Sequence, residues 1–281
     1  MSIITLTTDF GLKDHFVGAL KGKILTQLPN AQIIDISHEI DLFNISEASY
    51  VVRAGYYNFP SGTVHLIGVD SERTANTKHL VVFWNNHYFV CADNGIMSLV
   101  CQNQKPQTII EIDVADKLPK SATDLDVLLA VACHIAKGGQ LDVIGKPITE
   151  LKPQNQLQAV IEADKIRGNV IYFDHFGNCI TNITKEMFEA VANGRNFEIQ
   201  LNDFRFNTQR SKTITKISRS YADFTVRDGY TLKDYEGEKL ALFNEAGYLE
   251  IAIYKSNPNT TGTAKTLFGL KFRDVISVVF K

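Results

Sequence analysis

The chain opens on alternating apolar and threonine positions over residues 3–8, and after a polar bend Phe16, Leu20, Ile24 and Leu28 recur at helical spacing. This order predicts a strand followed by an amphipathic helix, which Pro29-Asn30 stops. The pattern then repeats. Residues 32–36 read as a second strand, 46–57 as a helix and 63–69 as a third strand, while 79–84 and 88–91 form a hairpin over Asn85-Asn86. Asp93-Asn94-Gly95 turns the chain into a short helix, and Val127, Leu128, Val131 and Ile135 mark another over 121–137, ended by Gly138-Gly139. Apolar runs of strand type alternating with helical ones predict βαβ units, hence an α/β N-terminal domain over residues 1–150 with a mainly parallel sheet.

After Pro147 the texture changes, and residues 152–156 are polar and aperiodic, as a linker is. Beyond them, 159–164, 169–173, 196–201, 239–243, 248–254 and 275–280 read as short strands with turn residues between. They predict a smaller all-β, antiparallel, barrel-like C-terminal domain over 158–281. A chain of 281 residues with 44% hydrophobic content can supply a core to each domain.

Charge and cysteine usage narrow the function classes. A net charge of -2 from interspersed acids and bases provides no basic face for nucleic acid. Cys91, Cys101, Cys133 and Cys179 lie in apolar stretches without CxxC spacing, so they read as reduced core residues rather than disulfide partners or zinc ligands. No apolar run approaches the ~20 residues needed to span a bilayer. The N-terminus lacks a charged leader region, so the expected location is the cytoplasm.

Four expected strands of the first domain carry a carboxylate at or near their ends: Asp9, Asp35, Asp70 and Asp93. In open parallel sheets ligands bind outside the carboxyl ends of the strands, so these side chains converge on one cleft. Aspartate also serves as a turn former and helix cap, a role open to each of the four. A carboxylate-lined cleft suits a cationic ligand, vicinal hydroxyls or a hard metal ion such as Mg²⁺. No histidine pair at helical spacing supports a transition-metal site, and no glycine-rich loop supports a phosphate ligand.

Several blocks resemble one family. Thr7-Thr8-Asp9-Phe10-Gly11 with Asp14, Phe16-Val17-Gly18 and Lys21-Gly22 is similar to the opening motif of the S-adenosylmethionine hydrolases and their halogenating relatives, the S-adenosylmethionine hydroxide adenosyltransferase family. In order there follow Ile34-Asp35-Ile36-Ser37-His38-Glu39-Ile40, Phe59-Pro60-Ser61-Gly62-Thr63-Val64-His65, Val69-Asp70 and Asp93-Asn94-Gly95. Asp174-His175-Phe176-Gly177-Asn178, Thr181-Asn182-Ile183 and a late block over 244–252 complete the resemblance, which covers nearly the whole chain.

The resemblance implies a homotrimer with a nucleoside site between the first domain of one subunit and the second domain of its neighbour. It implies that Asp9 accepts hydrogen bonds from the ribose hydroxyls, with Asp14 beside it, and that Asp174 faces the methionine ammonium. Asn178 then reads the adenine edge, and Phe176 and Tyr221 pack on the purine. For Phe176 and Tyr221 ordinary core packing is the competing role, and for Asp174 and Asn178 a hairpin turn. The implied reaction is attack of water or hydroxide on the 5′ carbon, with no cofactor and with Asp70 orienting the water. A carboxylate there repels halide, which disfavours halogenation.

Two partners of that aspartate in the hydrolases are absent. An arginine seven residues later is replaced by Thr77, and a histidine in a separate block by Thr123; Arg73 or Lys78 are the nearby cations. Ser121 and Asp124 read instead as a capping box for the helix beginning there. The expectation is therefore a weakened adenosine-forming hydrolase, the alternative being a non-catalytic protein that binds S-adenosylmethionine or adenosine. His38 and His79 are expected to be structural.

Overall fold

The computed structural model describes residues 2–102, 104–114, 117–155, 157–201 and 213–281. The chain divides into two compact units, Met1–Gln156 and Leu157–Lys281. The last residue of the expected linker, Gln156, lies outside the described residues.

The first unit is built on a seven-stranded sheet. Its strands are β1 (Ile3–Thr8), β2 (Gln32–Ser37), β3 (Val64–Gly68), β4 (His79–Trp84), β5 (His87–Ala92), β6 (Thr108–Ile112) and β7 (Gly145–Ile148), in the order β2-β1-β3-β5-β4-β6-β7. The pairs β2-β1, β1-β3 and β3-β5 are parallel, and β4 and β7 run against their neighbours, so five strands point one way. The expected helices are α1 (Phe16–Gln27), α2 (Ile45–Tyr56), α3 (Ile96–Cys101) and α4 (Asp124–Ala136).

Alternation along the strands gives the sheet two apolar faces. Ile4, Leu6, Val64, Leu66 and Val90 pack with Leu20 and Ile24 of α1 and Leu128 of α4. Ile67, Leu80, Phe89 and Cys91 pack with Val52 of α2 and Ile96 of α3. Each such side chain, fully buried, contributes about 1.5–3 kcal/mol. The Asn85-Asn86 turn between β4 and β5 has positive φ at both residues, 54° and 64°, the tight geometry that asparagine tolerates.

β6 and β7 add two strands to those expected. Pro147 breaks the apolar run, yet it sits on the outermost strand of the sheet, where a missing N–H costs no ladder bond. The helix cap also differs from expectation. Thr123, not Ser121, caps α4: its hydroxyl accepts from the Asp126 amide at 3.3 Å, and the Asp126 carboxylate accepts from the Thr123 amide at 2.9 Å. Asp124 is thereby released to bind another loop.

The second unit is an antiparallel, nearly closed sheet. Its strands are β8 (Val160–Glu162), β9 (Lys165–Phe173), β10 (Cys179–Thr184), β11 (Phe197–Leu201), β12 (Thr213–Ile214), β13 (Lys239–Phe243), β14 (Tyr248–Ile253) and β15 (Val275–Phe280). The order is β12-β11-β15-β9-β10-β14-β13, with β8 paired to β9. A bridge between Ile217 and Ala241 draws the two ends of the sheet together. Helices α5 (Lys185–Ala192) and α6 (Ala264–Leu267), the latter capped by Thr263, pack on it. β9 is one continuous strand through Gly168, where a Cβ would lie 2.4 Å from Ile183; the glycine marks a close approach rather than a break.

All four cysteines are buried and free. Among the described residues no helix is long and apolar enough to cross a membrane.

Candidate active site

Asp9, Asp14 and Asp70 belong to the first unit, and Asp174, Phe176, Asn178 and Tyr221 to the second. In the first, Thr8 pairs with Gly68 across β1 and β3. Asp9 and Asp70 therefore leave adjacent strands at the same carboxyl edge of the sheet. Asp9 is buried and its Oδ2 accepts from the Phe43 amide at 2.9 Å. The Gly11 amide donates to the His38 carbonyl at 2.7 Å, so the segment after β2 folds over this corner. Asp14 is exposed in the bend before α1.

A chain of polar contacts runs beneath Asp9. Lys21 Nζ lies 2.6 Å from Asp35 Oδ2, Asp35 Oδ1 lies 3.1 Å from His38 Nε2, and His38 Nδ1 lies 2.7 Å from Thr8 Oγ1. Burial raises the Asp35 pKa, but the hydrogen bond from Lys21 and the close approach of His38 outweigh it and hold the carboxyl below its ordinary value. Asp93 is likewise engaged, its Oδ1 accepting from the Lys152 amide at 3.0 Å. Of the four strand-end carboxylates, Asp35 and Asp93 thus hold the scaffold together.

Asp70 is exposed, with φ 46°, a left-handed conformation uncommon outside glycine. Asn94 fixes it, donating to the carbonyls of Val69 and Asp70 at 3.1 and 2.9 Å. The loop beyond is braced at three points. His79 Nε2 donates to the Ser71 carbonyl at 2.9 Å, the Arg73 amide donates to the Asp124 carboxylate at 2.8 Å, and Thr74 and Thr77 close a turn on each other. Burial holds His79 below its ordinary pKa, opposed by its bond to Ser71. Both His38 and His79 are structural in their contacts. Thr77 lies in this braced loop and Thr123 at the α4 cap, the two elements that Asp124 joins.

In the second unit Asp174 and Asn178 close the β9-β10 hairpin. Asp174 accepts from the Asn178 amide at 2.8 Å and from Asn178 Nδ2 at 2.9 Å, and Gly177, with φ 72°, completes the turn. Burial raises the Asp174 pKa against the bonds from Asn178. Asn178 is 3% exposed and its Oδ1 has no hydrogen-bond partner among the described residues. Phe176 is 61% exposed and Tyr221 is also exposed, so neither belongs to the core. The Tyr221 hydroxyl donates to Glu250 Oε1 at 2.7 Å.

The sequence pattern marks Asn94 only as a turn residue and assigns Glu250 no part in the site. A signal exists for the second, a carboxylate inside the apolar run Tyr248-Leu249-Glu250-Ile251-Ala252; for Asn94 only contact reveals it. No three His, Cys, Asp or Glu side chains among the described residues are grouped to hold a metal ion.

Comparison with known proteins extends these observations to the whole chain. A hydrolase of Methanocaldococcus jannaschii, named (R)-S-adenosyl-L-methionine hydrolase, is 30% identical over 287 residues, covering 100% of this chain and 97% of its own. A Thermus thermophilus protein of the same name is 22% identical, covering 96% and 97%, and a fluorinase of Actinopolyspora mzabensis is 22% identical, covering 89% and 90%. The crystal structure of an uncharacterized conserved protein from Thermotoga maritima superposes with a TM-score of 0.81 at 29% identity, covering 99% of both chains. Residues 4–145 match the profile of the SAM hydroxide adenosyltransferase N-terminal domain and residues 168–277 that of the C-terminal domain, SAM being S-adenosylmethionine. With both domain profiles matched in order and a full-length relative at 30% identity, the chain belongs to the SAM hydroxide adenosyltransferase family.

Proposed function

We propose that this protein hydrolyses S-adenosyl-L-methionine to adenosine and methionine, and that it takes the (R) sulfonium epimer for which its relatives are named. The observation that carries the reading is the register of β1 and β3, which sets Asp70 beside Asp9 at one sheet edge. Water bonds to the 5′ carbon as the carbon–sulfur bond breaks, and the electron pair leaves with sulfur as a neutral thioether. No general acid is needed for such a leaving group; the proton lost by the water passes to Asp70 or to solvent. Orientation of the water by Asp70 supplies the proximity term.

The substrate-holding roles follow from chemistry. Asp9 keeps Oδ1 for the ribose hydroxyls while Phe43 holds Oδ2, and Asp14 lies in the bend just beyond. Asn178 Oδ1 accepts from the adenine amino group, which gives this buried oxygen its missing donor. Phe176 and Tyr221 pack on the purine, worth about 0.5–1.5 kcal/mol beyond area burial. Asp174 takes the ammonium. Arg73, Thr77 and Thr123 support the Asp70 loop in place of the arginine and histidine of other hydrolases, and turnover is correspondingly slow.

The working form is a cytoplasmic homotrimer in which neighbouring subunits complete each site, with no cofactor. Exposure of Leu12, Leu42 and Phe43 close to Asp9 favours coverage by another subunit. The test is adenosine release from each epimer, followed by chromatography. The Asp70→Ala variant is expected to lose about 10²-fold or more in rate. Equal rates would remove the catalytic role of Asp70, and no release from either epimer would remove the substrate.

A further inference from the structure

The second unit buries a carboxylate that the proposed reaction leaves without a role. Glu250 is 3% exposed on β14, a strand otherwise apolar and wholly buried. A carboxylate there gives up hydration, and its hydrogen bonds come from neutral donors, the Tyr221 hydroxyl at 2.7 Å and the Asn244 side chain. Asp174, across the hairpin end, is near enough to repel it. Burial first, and then this repulsion, raises the Glu250 pKa against the Tyr221 bond.

Among the described residues, other charged and titratable groups lie around the pair. His175 sits beside Asp174 and favours its charge. Cys179 on β10 is a neutral thiol, its pKa pushed up by burial and then by Asp274, Glu250 and Asp174. On α6, Lys265 places its ammonium over the Phe173 ring at 4.9 Å. Two acids thus lie close together at the hairpin where an exposed aromatic platform begins.

We infer that Glu250 is a positioning residue for substrate binding: its Oε1 anchors the Tyr221 hydroxyl and so sets the pitch of that ring, and its charge adds to that of Asp174 in drawing the cationic end of the substrate. This rests on the function proposed above. It explains why an apolar strand retains a carboxylate, and why Tyr221, though exposed, has a fixed hydroxyl.

Two variants test it in adenosine release. Glu250→Gln keeps an acceptor for Tyr221 and removes the charge; KM is expected to rise about fivefold or more with kcat within about threefold. The split between KM and kcat is the readout that a purely structural role would not move. Tyr221→Phe keeps the stacking face and removes only the anchor; KM is expected to rise about threefold or more with kcat retained. If Glu250→Gln does not fold, Tyr221→Phe at its exposed position carries the test alone. A KM within about twofold of the unaltered protein in either folded variant overturns the inference. If the unaltered protein itself neither binds nor cleaves S-adenosylmethionine, the proposed function fails and takes this role with it.

Discussion

Asn94 holds Asp70 by its backbone: one side-chain nitrogen donates to the Asp70 carbonyl at 2.9 Å and to the Val69 carbonyl at 3.1 Å, while the Asn94 oxygen accepts from the Ile96 amide at 3.1 Å. A single side chain thus joins the end of β3 to the start of α3. The left-handed φ of Asp70 persists because this neighbour holds it.

Asn94→Ala removes these bonds and is expected to destabilise the protein by about 1–3 kcal/mol. Adenosine release should fall further than stability explains, because Asp70 loses its fixed direction. Asn94→Asp keeps the acceptor for Ile96 and loses both donated bonds. Full activity in Asn94→Asp, at a temperature where it is folded, would show that Asp70 needs no such support.

Gly177 meets two demands at once. Its φ is 72°, and a Cβ would lie 2.5 Å from Thr263, the cap of α6. Gly177→Ala is expected to cost about 1–3 kcal/mol, read as a lowered denaturation midpoint. Substrate affinity should weaken with it, since Asp174 and Asn178 belong to the same turn. An unchanged midpoint would contradict the close approach.

Acid should weaken the first unit from within. His65 Nδ1 lies 2.7 Å from Thr5 Oγ1 and its Nε2 lies 3.0 Å from His87 Nδ1, beneath Tyr56 and Phe89. Burial, and then the nearby His87, push the His65 pKa from 6.5 down to about 3, and burial holds His87 below its ordinary value. The folded state therefore resists protonation. The stability this contributes is complete above pH 6.5 and is lost as pH falls toward 3, by roughly 1.4 kcal/mol per unit crossed for one such group. Trp84, the single tryptophan, lies 5.3 Å from Tyr56, so its fluorescence reports on this cluster. A denaturation midpoint by that signal equal at pH 7 and pH 5 would refute the effect.

Chelation separates a nucleoside site from a magnesium site. Asp35 is engaged by Lys21 and His38, and Asp93 by the Lys152 amide, which leaves the sheet edge short of the carboxylates a hard cation needs. Adenosine release is expected to be unchanged by excess EDTA. Loss of activity that Mg²⁺ restores would favour the metal-dependent reading.

Much of the fold was legible in the residues. The strand over 3–8, the helix that Pro29 stops and the hairpin over Asn85-Asn86 each rest on local periodicity or turn chemistry, which act over a few residues. The same rules misplaced the α4 cap by two residues, because Ser121 and Thr123 are equivalent by type and only the path of the chain selects one. They also began β9 at Asn169 rather than Lys165 and passed over β6 and β7; Gly168 and Pro147 are ambiguous until their neighbours in the sheet are known.

The order of the family blocks and the carboxylates at the strand ends were decided by the amino-acid sequence itself, and with them the sheet edge where chemistry is to be sought. Folding alone determined which carboxylates are tied into the scaffold, as Asp35 and Asp93 are, and which are left at the edge, as Asp70 is. It also left Asn178 Oδ1 without a partner among the described residues and buried Glu250 under Tyr221. Such outcomes depend on groups far apart in the chain: Lys152 lies 59 residues from Asp93, and Glu250 lies 29 from Tyr221. Local preference acts over a turn or a strand, whereas burial and hydrogen-bond partnership are set by whichever distant segment packs there.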